Sequence, residues 1–374
     1  MRFVHISDTH IGYSAYTAID RETGRNQREV DVENAFRQAV DRILDIKPDF
    51  VIHSGDLFHT VRPSNRAIGF AMEEIERITD AGIPFVVIAG NHSAPRMRET
   101  GSVFRIISKV NGVHAFYREK YEKMEIGDAL LHLLPHVHGG ERFREEAALM
   151  KALEGRINIA VLHSGVEGLR AFKYSTGEAN EDLISMSEIS EGFDYIAFGH
   201  FHEFTKLDER AYYSGSTERL SFTDAGQDKG FLVVETSPFS VDFVKLDIRP
   251  MIDLPPMDAK GKSASEIMNE IEEMAGPHLK DAIVRLRINN IGKGEHFSLD
   301  SKRIKKLFSD TMHFEMQVSQ GEGGSAQVEM ISLETMGSDF AEFIRKTSVE
   351  GLDKERLIKM GERYLALAIE EGER

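Results

Sequence analysis

This sequence lacks cysteine altogether and is short of basic residues and of long apolar runs. Without cysteine the chain forms neither a disulfide nor a thiolate metal site, which fits a reducing cytoplasm. No apolar run is long enough to cross a membrane, and the first residues predict a strand rather than a signal peptide. The 46 Lys and Arg residues are outnumbered by 62 Asp and Glu, which gives a formal net charge of −16. Such a chain attracts phosphate backbones weakly unless metal ions or a local basic face supply positive charge.

The sequence does contain a series of buried strands that end in polar residues. The apolar run 50–53 stops at the turn Ser54-Gly55, and Asp56 follows at once. Ligands bind beyond the carboxyl ends of strands in open α/β sheets, although a lone Asp at such a place is more often a helix cap. Potential ligand residues occur at the ends of five predicted strands: Asp8 and His10, Asp56, Asn91 and His92, His163, and His200 and His202. Helix capping does not explain the same placement at five strands, so we expect these side chains to converge.

Helix-period segments alternate with these strands along the 374 residues, enough chain for two or three domains. Amphipathic patterns predict helices over 32–46 and 64–81, the second with Ser64 as its N-cap. From the residues alone this alternation predicts one largely parallel sheet with helices on both faces. A second, mostly antiparallel sheet is predicted from the strand patterns at 211–214, 231–235 and 241–246.

The last third of the chain has a different character. The segment 253–257 resembles a linker, and the patterns after it predict a small α+β domain. Residues 338–346 and 353–370 predict two short helices, each with an apolar face. These faces either pack back on the small domain or remain for a partner, and the pattern alone does not decide between them.

The strand-end residues offer a particular set of metal ligands. They supply two Asp, one Asn amide oxygen and several His without sulfur, which suits Mn²⁺, Fe²⁺ or Zn²⁺ and argues against a structural zinc site. There are too many ligands for one ion, so two ions that share a carboxylate are the economical arrangement, with Asp56 as the natural bridge. Sites of this kind hydrolyse phosphate esters. Asn91 and the remaining His could hold phosphate oxygens or protonate a leaving group.

Two other histidine features are weaker signals. His5 lies inside the first strand and is interpreted as a structural histidine with satisfied hydrogen bonds. His136 and His138, in the loop PHVHGG, could bind a metal ion. A histidine pair in a loop without a nearby carboxylate is more often solvated, so we do not place it in the site.

The polar motifs together resemble a known superfamily. DTH at 8–10, GDLFH at 55–59, GNH at 90–92, HS at 163–164 and GHFH at 199–202 resemble the calcineurin-like metallophosphoesterases. The GDxxH form, SGDLFHTVRPS and YSGSTER at 213–219 are similar to archaeal SbcD-type double-strand-break repair nucleases. The resemblance covers about residues 2–248. It implies an α/β fold with a two-sheet sandwich flanked by helices over 1–250, a small α+β DNA-capping domain over 251–334, and a helical tail over 335–374.

The resemblance also implies roles for individual residues. Asp8, His10, Asp56 and His202 would hold one ion, and Asp56, Asn91, His163 and His200 the other. His92 would act near the scissile phosphate as an acid or stabiliser, and His59 would face DNA and support exonuclease action. Contacts to DNA are expected from five residues near the motif loops: Tyr13, Arg62, Arg66, Arg96 and Arg98. For the four arginines, an ordinary solvated position on the surface is an equal alternative. One position departs from the family, because Ser93 stands where an acidic residue usually follows GNH.

The function implied by the resemblance is a Mn-dependent DNA exonuclease and single-strand endonuclease that processes double-strand-break ends. It implies two Mn²⁺ ions per chain, with Fe²⁺ or Zn²⁺ as possible substitutes, a homodimer, and an SbcC-like coiled-coil ABC ATPase bound through the tail helices. The expected location is the prokaryotic cytoplasm, in association with the nucleoid and not with a membrane. One alternative is a small-molecule phosphodiesterase or phosphomonoesterase, which would need no helical tail. The other is a non-catalytic binding protein, which the complete ligand set argues against.

Overall fold

A computed structural model describes residues 1–94, 101–167, 183–189 and 191–320. The chain divides into two compact units, of which the larger comprises Met1–Pro255, Ile271–Leu286 and Ser301–Met316. The smaller unit takes in Pro256–Glu270, Arg287–Asp300 and the described residues from Gln317 on. The predicted tail helices lie outside the described residues, and the predicted domain limits stay predictions.

The strands are mostly short. In chain order they are β1 (Arg2–Ile6), β2 (Phe50–His53), β3 (Phe85–Ile88), β4 (Val113–Phe116), β5 (Glu122–Ile126), β6 (Ala129–Leu134), β7 (Ile157–His163), β8 (Gly165–Val166), β9 (Leu183–Ile184), β10 (Tyr195–Gly199), β11 (Thr205–Lys206), β12 (Ala211–Tyr213), β13 (Gly230–Thr236), β14 (Phe239–Lys245), β15 (Met251–Asp253), β16 (Met257–Asp258), β17 (Ile283–Ile291) and β18 (His313–Gln320). The α-helices are α1 (Gln27–Ile46), α2 (Asn65–Asp80), α3 (Phe104–Ile107), α4 (Gly140–Ala147), α5 (Ala264–Met274), α6 (Lys293–Ser298) and α7 (Ser301–Leu307).

Two six-stranded sheets dominate the larger unit. The first has the order β14-β13-β1-β2-β3-β4, in which β1 to β4 are parallel and β13 and β14 antiparallel. The second has the order β11-β12-β10-β7-β6-β5, with β12, β10, β7 and β6 parallel. The two-sheet arrangement implied by the resemblance is therefore confirmed.

The single parallel sheet predicted from the residues alone is wrong, because β7 and β10 belong to a second sheet. The predicted separate antiparallel sheet is also wrong. β13 and β14 extend the first sheet beside β1, whereas β12 joins the second sheet parallel to β10. Apolar pattern identifies a strand but does not say which neighbour it pairs with, so this division depends on tertiary packing.

Alternation along the strands places the core in layers. Phe3, Phe50 and Ile52 pack with Ile159 and Val161 of the second sheet, so they fill the space between the sheets. The intervening side chains face the other way: Val4 and Val51 pack in a cluster with residues of α1 and α2. Successive residues of a strand point to opposite faces, and both faces of the first sheet are covered. Each fully buried side chain of this size contributes roughly 1.5–3 kcal/mol to folding.

The first helices show where local sequence signals located a helix end correctly and where they missed it. Ser64 caps α2 as predicted, with its side chain accepting the N–H of Ala67 at 3.2 Å. α1 begins at Gln27, five residues before the predicted start, because the side chain of Asn26 accepts the N–H groups of Arg28 and Glu29. It ends at Ile46, and the C-cap residue Lys47, just ahead of Pro48, has a left-handed φ of 52°. The next helix, α3, is a single turn at Phe104–Ile107.

The remaining strands form small pairings. In the larger unit β15 pairs in parallel with the start of β17, and in the smaller unit β16 pairs in parallel with Ile288 and Asn289. β18 also pairs with β17. Among the described residues, no helix is long and apolar enough to cross a membrane.

Candidate metal centre

The loops after β1 and β2 run side by side at one end of the first sheet. The backbone N–H of Asp8 donates to the carbonyl of Gly55 at 3.1 Å, and that of His10 donates to the carbonyl of Asp56 at 3.0 Å. Further along, the N–H of His59 donates to the carbonyl of Ile11 at 3.1 Å. These bonds hold the DTH and GDLFH motifs against each other, as the strand-end pattern predicts.

Several predicted ligands have a left-handed backbone. The φ angles of Asp8, His10 and Asp56 are 50°, 47° and 50°, and that of His200 is 100°. A residue with a side chain pays roughly 1–3 kcal/mol for such a conformation, which persists only where the surroundings impose it. The four strained residues therefore indicate a site whose geometry is maintained against local preference.

The glycines of three motifs leave room for the ligands. A Cβ on Gly90 would lie 2.2 Å from Asp56 Oδ1, and one on Gly55 would lie 2.1 Å from His163 Nδ1. A Cβ on Gly199 would lie 2.1 Å from the carbonyl oxygen of Ser54. No side chain fits at these distances, so glycine in GD, GN and GH is required by the close approach of the neighbouring loop.

The second sheet brings His163 and His200 to the same place. His163 Nδ1 donates to the carbonyl of Ser54 at 2.8 Å, so Nε2 faces Asn91 Oδ1 at 3.0 Å and Asp56 Oδ2 at 3.2 Å. His200 Nδ1 lies 3.2 Å from Asn91 Oδ1, and the His200 N–H donates to both carboxylate oxygens of Asp8 at 3.1 Å. Five strand ends thus meet around one group of oxygen and nitrogen atoms.

The electrostatics of this group call for a cation. Burial lowers the pKa of His163, but the Asp56 carboxylate outweighs burial and raises that pKa to about 9. Burial would raise the pKa of Asp56, yet the charge of His163 holds it well below the usual range. A proton on His163 Nε2 places positive charge between Asn91 Oδ1 and Asp56 Oδ2, two oxygens that can only accept hydrogen bonds. A divalent ion fits the same place.

A second group of ligand atoms surrounds His10. Its Nε2 lies 3.1 Å from His202 Nε2 and 4.0 Å from Asp56 Oδ2. Burial holds the pKa of His10 well below its usual value, although Asp56 acts in the opposite direction, so the ring is neutral. Two imidazole nitrogens that face each other need a shared proton or a cation between them.

The donor atoms fit two divalent ions. The ligand atoms of Asp8, His10 and His202 lie within 4.8 Å of one another, and so do those of Asp8, Asp56 and His163. Asp56 approaches both groups, at 4.0 Å from His10 and 3.2 Å from His163. Sulfur-free oxygen and imidazole donors suit Mn²⁺, Fe²⁺ or Zn²⁺. The structure brings all seven predicted ligands together, and their division between two ions stays a prediction.

His92 and His59 lie beside this centre. The ligand atoms of His10, His59 and His92 fall within 4.8 Å of one another. His92 reaches Asp56 through its backbone N–H, which donates to Oδ1 at 3.0 Å, while its Nδ1 donates to the carbonyl of His59 at 2.9 Å. The two rings stack with centroids 5.2 Å apart. Burial and the charge of His92 lower the pKa of His59 to about 4.

The departure from the family at Ser93 lies at a buried position. Ser93 is 1% exposed, and its hydroxyl has no hydrogen-bond partner among the described residues. A carboxylate there would need a compensating partner. The His92 ring beside it is oriented by the carbonyl of His59, which accepts from Nδ1 at 2.9 Å.

The expected DNA contacts are placed only in part. Tyr13 is half-buried, with its ring centroid 4.9 Å from that of His59 in an edge-to-face contact and its hydroxyl donating to the carbonyl of Leu220. Arg62 and Arg66 are exposed in the segment that follows His59. The other two predicted arginines, Arg96 and Arg98, lie outside the described residues.

The structure also corrects the view of the PHVHGG loop. The expectation of no nearby carboxylate is wrong, because Glu119 Oε1 lies 3.1 Å from His138 Nδ1 and the same carboxylate binds Arg142 at 2.9 Å. The backbone N–H of His136 donates to the carbonyl of Ala89 at 2.9 Å, just before GNH. His5 is confirmed as a structural histidine, with ring nitrogens 2.9 Å from the Tyr195 and Ser54 hydroxyls.

Two residues near the centre gave no signal in the sequence. Asp224 Oδ2 lies 3.8 Å from His202 Nδ1, and Lys229 donates to the carbonyl of His202 at 2.7 Å. Both belong to the polar loop TDAGQDKG, which looks like any solvated turn, and only their complete burial sets them apart.

Comparison with known proteins gives consistent results. Residues 1–204 match the model of a family described as calcineurin-like phosphoesterase. The chain is 30% identical over 303 residues to the DNA double-strand break repair protein Mre11 of Methanocaldococcus jannaschii, covering 73% of each chain. It is 32% identical over 266 residues to the protein of that name from Thermoplasma acidophilum, covering 67% of this chain and 66% of the other. Purple acid phosphatase PPD1 from yellow lupin is similar at 14% identity and a TM-score of 0.39, over 65% of this chain and 52% of that one, which is too distant to decide anything.

Proposed function

This chain belongs to the calcineurin-like phosphoesterase family, and we propose that it is a manganese-dependent DNA nuclease that processes double-strand-break ends. Membership of the family and the identity to a Mre11 relative make it a metal-dependent phosphodiesterase. The observation that carries the proposal is the position of Asp56, whose carboxylate approaches one group of ligand atoms at His10 and another at His163. A carboxylate shared between two ions is what phosphodiester hydrolysis at a two-metal site requires.

The residues would divide between two Mn²⁺ ions per chain, with Fe²⁺ or Zn²⁺ as possible substitutes. Asp8, His10, Asp56 and His202 would hold one ion, and Asp56, Asn91, His163 and His200 the other. When bound, two divalent ions neutralise phosphate charge, polarise the phosphorus and acidify a bound water. The left-handed backbone of the ligand loops and the glycines against them keep these side chains in place before any substrate arrives.

His92 and His59 would handle the substrate. With Nδ1 of His92 engaged by the carbonyl of His59, Nε2 is the ring nitrogen left to exchange a proton with the leaving oxygen or to stabilise the phosphate. His59, stacked on His92 and half-buried, would face the nucleotide that is being removed. Tyr13 packs edge-to-face against His59, and its hydroxyl is engaged by the carbonyl of Leu220. Its main role would therefore be to position the His59 ring, and contact with DNA through the hydroxyl would be secondary.

The substrate class is proposed from the relatives, which are named for DNA double-strand break repair. Free DNA ends and single strands would enter over the Arg62 and Arg66 segment, and Arg96 and Arg98 are further proposed contacts. Residues 251–334 would cap the cleft, and residues 335–374 would bind an SbcC-like coiled-coil ATPase. A homodimer in the prokaryotic cytoplasm, associated with the nucleoid, completes the proposal.

One cleavage assay tests the proposal. Labelled duplex and single-stranded DNA are incubated with Mn²⁺, Mg²⁺ or EDTA, using the wild-type chain and Asp56→Asn, with and without the ATPase. A matched control is Asp228→Asn, since Asp228 is exposed and forms its ion pair with Lys245 at 2.7 Å, away from the predicted ligands. We expect cleavage with Mn²⁺ by wild type and control, none with EDTA, and none by Asp56→Asn, whose bound metal should also fall.

Other outcomes would assign another function. Hydrolysis of nucleotides or of bis(p-nitrophenyl) phosphate without any cleavage of DNA would make the chain a small-molecule phosphodiesterase. Wild-type cleavage and metal content in Asp56→Asn, measured by elemental analysis, would remove Asp56 from its bridging role.

A further inference from the structure

A lysine with no part in the proposed chemistry is completely buried behind the metal centre. The ammonium of Lys229 donates to three oxygens: the carbonyl of His202 at 2.7 Å, Gln227 Oε1 at 2.8 Å and Asp224 Oδ1 at 3.2 Å. Its side chain is 0% exposed. Burial of an ammonium is unfavourable unless each of its three protons finds an acceptor, and here each does. One of the three acceptors is the backbone of a predicted metal ligand.

Its partner Asp224 is fixed from the other side. The backbone N–H groups of Leu220 and Ser221 donate to Asp224 Oδ2 at 2.9 and 3.3 Å. The same oxygen lies 3.8 Å from His202 Nδ1, within reach of charge attraction but beyond a hydrogen bond. His202 therefore stands between two groups, with Nε2 toward His10 and Nδ1 toward a carboxylate that cannot swing away. A carboxylate behind a ligating imidazole orients the ring and favours the tautomer with its lone pair on the metal side.

The YSGSTER motif explains why the backbone of His202 is held so firmly. The N–H of Ser216 donates to the carbonyl of His202 at 3.0 Å, the oxygen that Lys229 also binds. A Cβ on Gly215 would lie 2.8 Å from that oxygen, so only glycine permits this approach. Tyr213 at the start of the motif donates to the carbonyl of Ser164, next to His163. The segment thus braces two ligand loops. Among the described residues, the hydrogen bonds and close contacts of the ion pair to these loops are made to the one that carries His202.

Stability alone gives no reason for such a pair. A buried ion pair is often no better for folding than apolar side chains of similar volume, because both ions lose their hydration. The contacts of this pair point at His202 from two directions, through its carbonyl and through its ring. We propose that Asp224 and Lys229 are positioning residues for His202, so that they set the affinity of one metal ion while the other ion does not depend on them.

This inference rests on the proposed two-metal site and predicts an asymmetric result. Removal of a group that supports a metal-binding histidine typically weakens metal affinity by about 10–100-fold. The ion held with His202 should weaken by that factor. The ion held by Asn91, His163 and His200 should keep its affinity, because His163 is oriented by the carbonyl of Ser54 and the described hydrogen bonds of His163 and His200 do not involve Asp224 or Lys229.

The test uses Mn²⁺ as the probe and reads binding, not activity. Wild-type full-length chain is titrated with Mn²⁺ by calorimetry, and the electron paramagnetic resonance spectrum is followed for the coupled signal of two neighbouring ions. The variants are Asp224→Asn and the double variant Asp224→Asn with Lys229→Met, which leaves no unpaired buried charge. His202→Ala shows the pattern of a chain that has lost one ion, and Asp228→Asn repeats the Asp→Asn exchange at an exposed position of the same loop.

We expect two ions in wild type and in Asp228→Asn. Both Asp224 variants should bind one ion normally and the other about 10–100-fold more weakly, with a spectrum that approaches that of His202→Ala at limiting Mn²⁺. If circular dichroism shows that the double variant does not fold, the Mn²⁺ affinities of Asp224→Asn alone test the inference, since asparagine keeps the shape of the aspartate side chain.

Two results would overturn the inference. One is two ions bound with wild-type affinity in the Asp224 variants, and the other is an equal weakening of both ions, which would make the pair a support for the fold as a whole. A wild-type chain that binds fewer than two Mn²⁺ would instead overturn the two-metal proposal on which the inference rests.

Discussion

The buried ring of His5 should make the stability of this protein depend on pH in a measurable way. His5 is 0% exposed, and its two nitrogens lie 2.9 Å from the hydroxyls of Tyr195 and Ser54. Burial, reinforced by the charge of His53, lowers its pKa to about 3. The ring is not a predicted ligand, so metal binding does not enter its titration directly.

The sign and size of the effect follow from that pKa. In the unfolded chain a histidine titrates near 6.5, so between pH 6.5 and 3 the unfolded state binds a proton that the folded state does not. The contribution of His5 is fully present above pH 6.5 and is lost as the pH falls toward 3. At about 1.4 kcal/mol per pH unit, lowering the pH from 7 to 5 removes roughly 2 kcal/mol of unfolding free energy through this ring alone.

The assay compares wild type with His5→Gln by urea unfolding at pH 7 and pH 5, with EDTA present in both. The variant should be less stable at pH 7, because the two hydroxyls lose their partner, but its loss of stability between the two pH values should be smaller than that of wild type by about 2 kcal/mol. His278→Gln makes the same exchange at an exposed position and should keep the wild-type dependence. An unchanged pH dependence in His5→Gln would refute the reasoning, since it would mean that the ring titrates alike in both states.

Three further predictions concern the centre and the tail. His92→Gln should lower kcat by about 10²–10⁴-fold, the usual worth of a general acid, and keep its metal, because His92 binds Asp56 through the backbone N–H; loss of metal by elemental analysis would place the ring among the ligands. Gly90→Ala should lower the Mn²⁺ content, since its Cβ would lie 2.2 Å from Asp56 Oδ1, whereas Gly69→Ala in α2, with nothing within 4 Å, is the control; an equal metal content in both would contradict the close approach. Deletion of 338–374 should spare Mn²⁺-dependent cleavage of single-stranded DNA but abolish co-purification with the coiled-coil ATPase. An insoluble truncated chain, or one that still binds the ATPase, would assign the tail to the core fold.

The strand ends could be predicted because their signals are local. A short apolar run followed by Asp56, or by Gly90, Asn91 and His92, carries its strand, its turn and its polar end within a few residues. The structure brings these residues together as expected. Which sheet each strand joins is not local information, and the prediction failed there: β7 and β10 have the same apolar pattern as β2 and β3 but pair with each other in the second sheet.

Buried charge hid other features from the sequence. The apolar pattern missed the first turn of α1, which Asn26 caps, because Arg28 is 0% exposed and pairs with Asp31 at 2.7 Å, and Asp31 in turn binds Arg249 from far along the chain. A pattern of apolar residues treats Arg28 and Asp31 as solvent-facing. Asp224 and Lys229 were missed for the same reason, since their partners are supplied by His202 and Gln227 only after folding.

The division of the ligands between two sheets has a consequence for synthesis on the ribosome. Asp8, His10, Asp56 and Asn91 follow strands of the first sheet and emerge first, whereas His163, His200 and His202 follow strands of the second sheet. β1 also keeps one edge open until β13 is made, more than two hundred residues later. A nascent chain folds from its N-terminus as it lengthens, so the early half can hold an ion only through an incomplete set of donors. The metal centre is therefore completed only after more than half of the 374 residues have been synthesised.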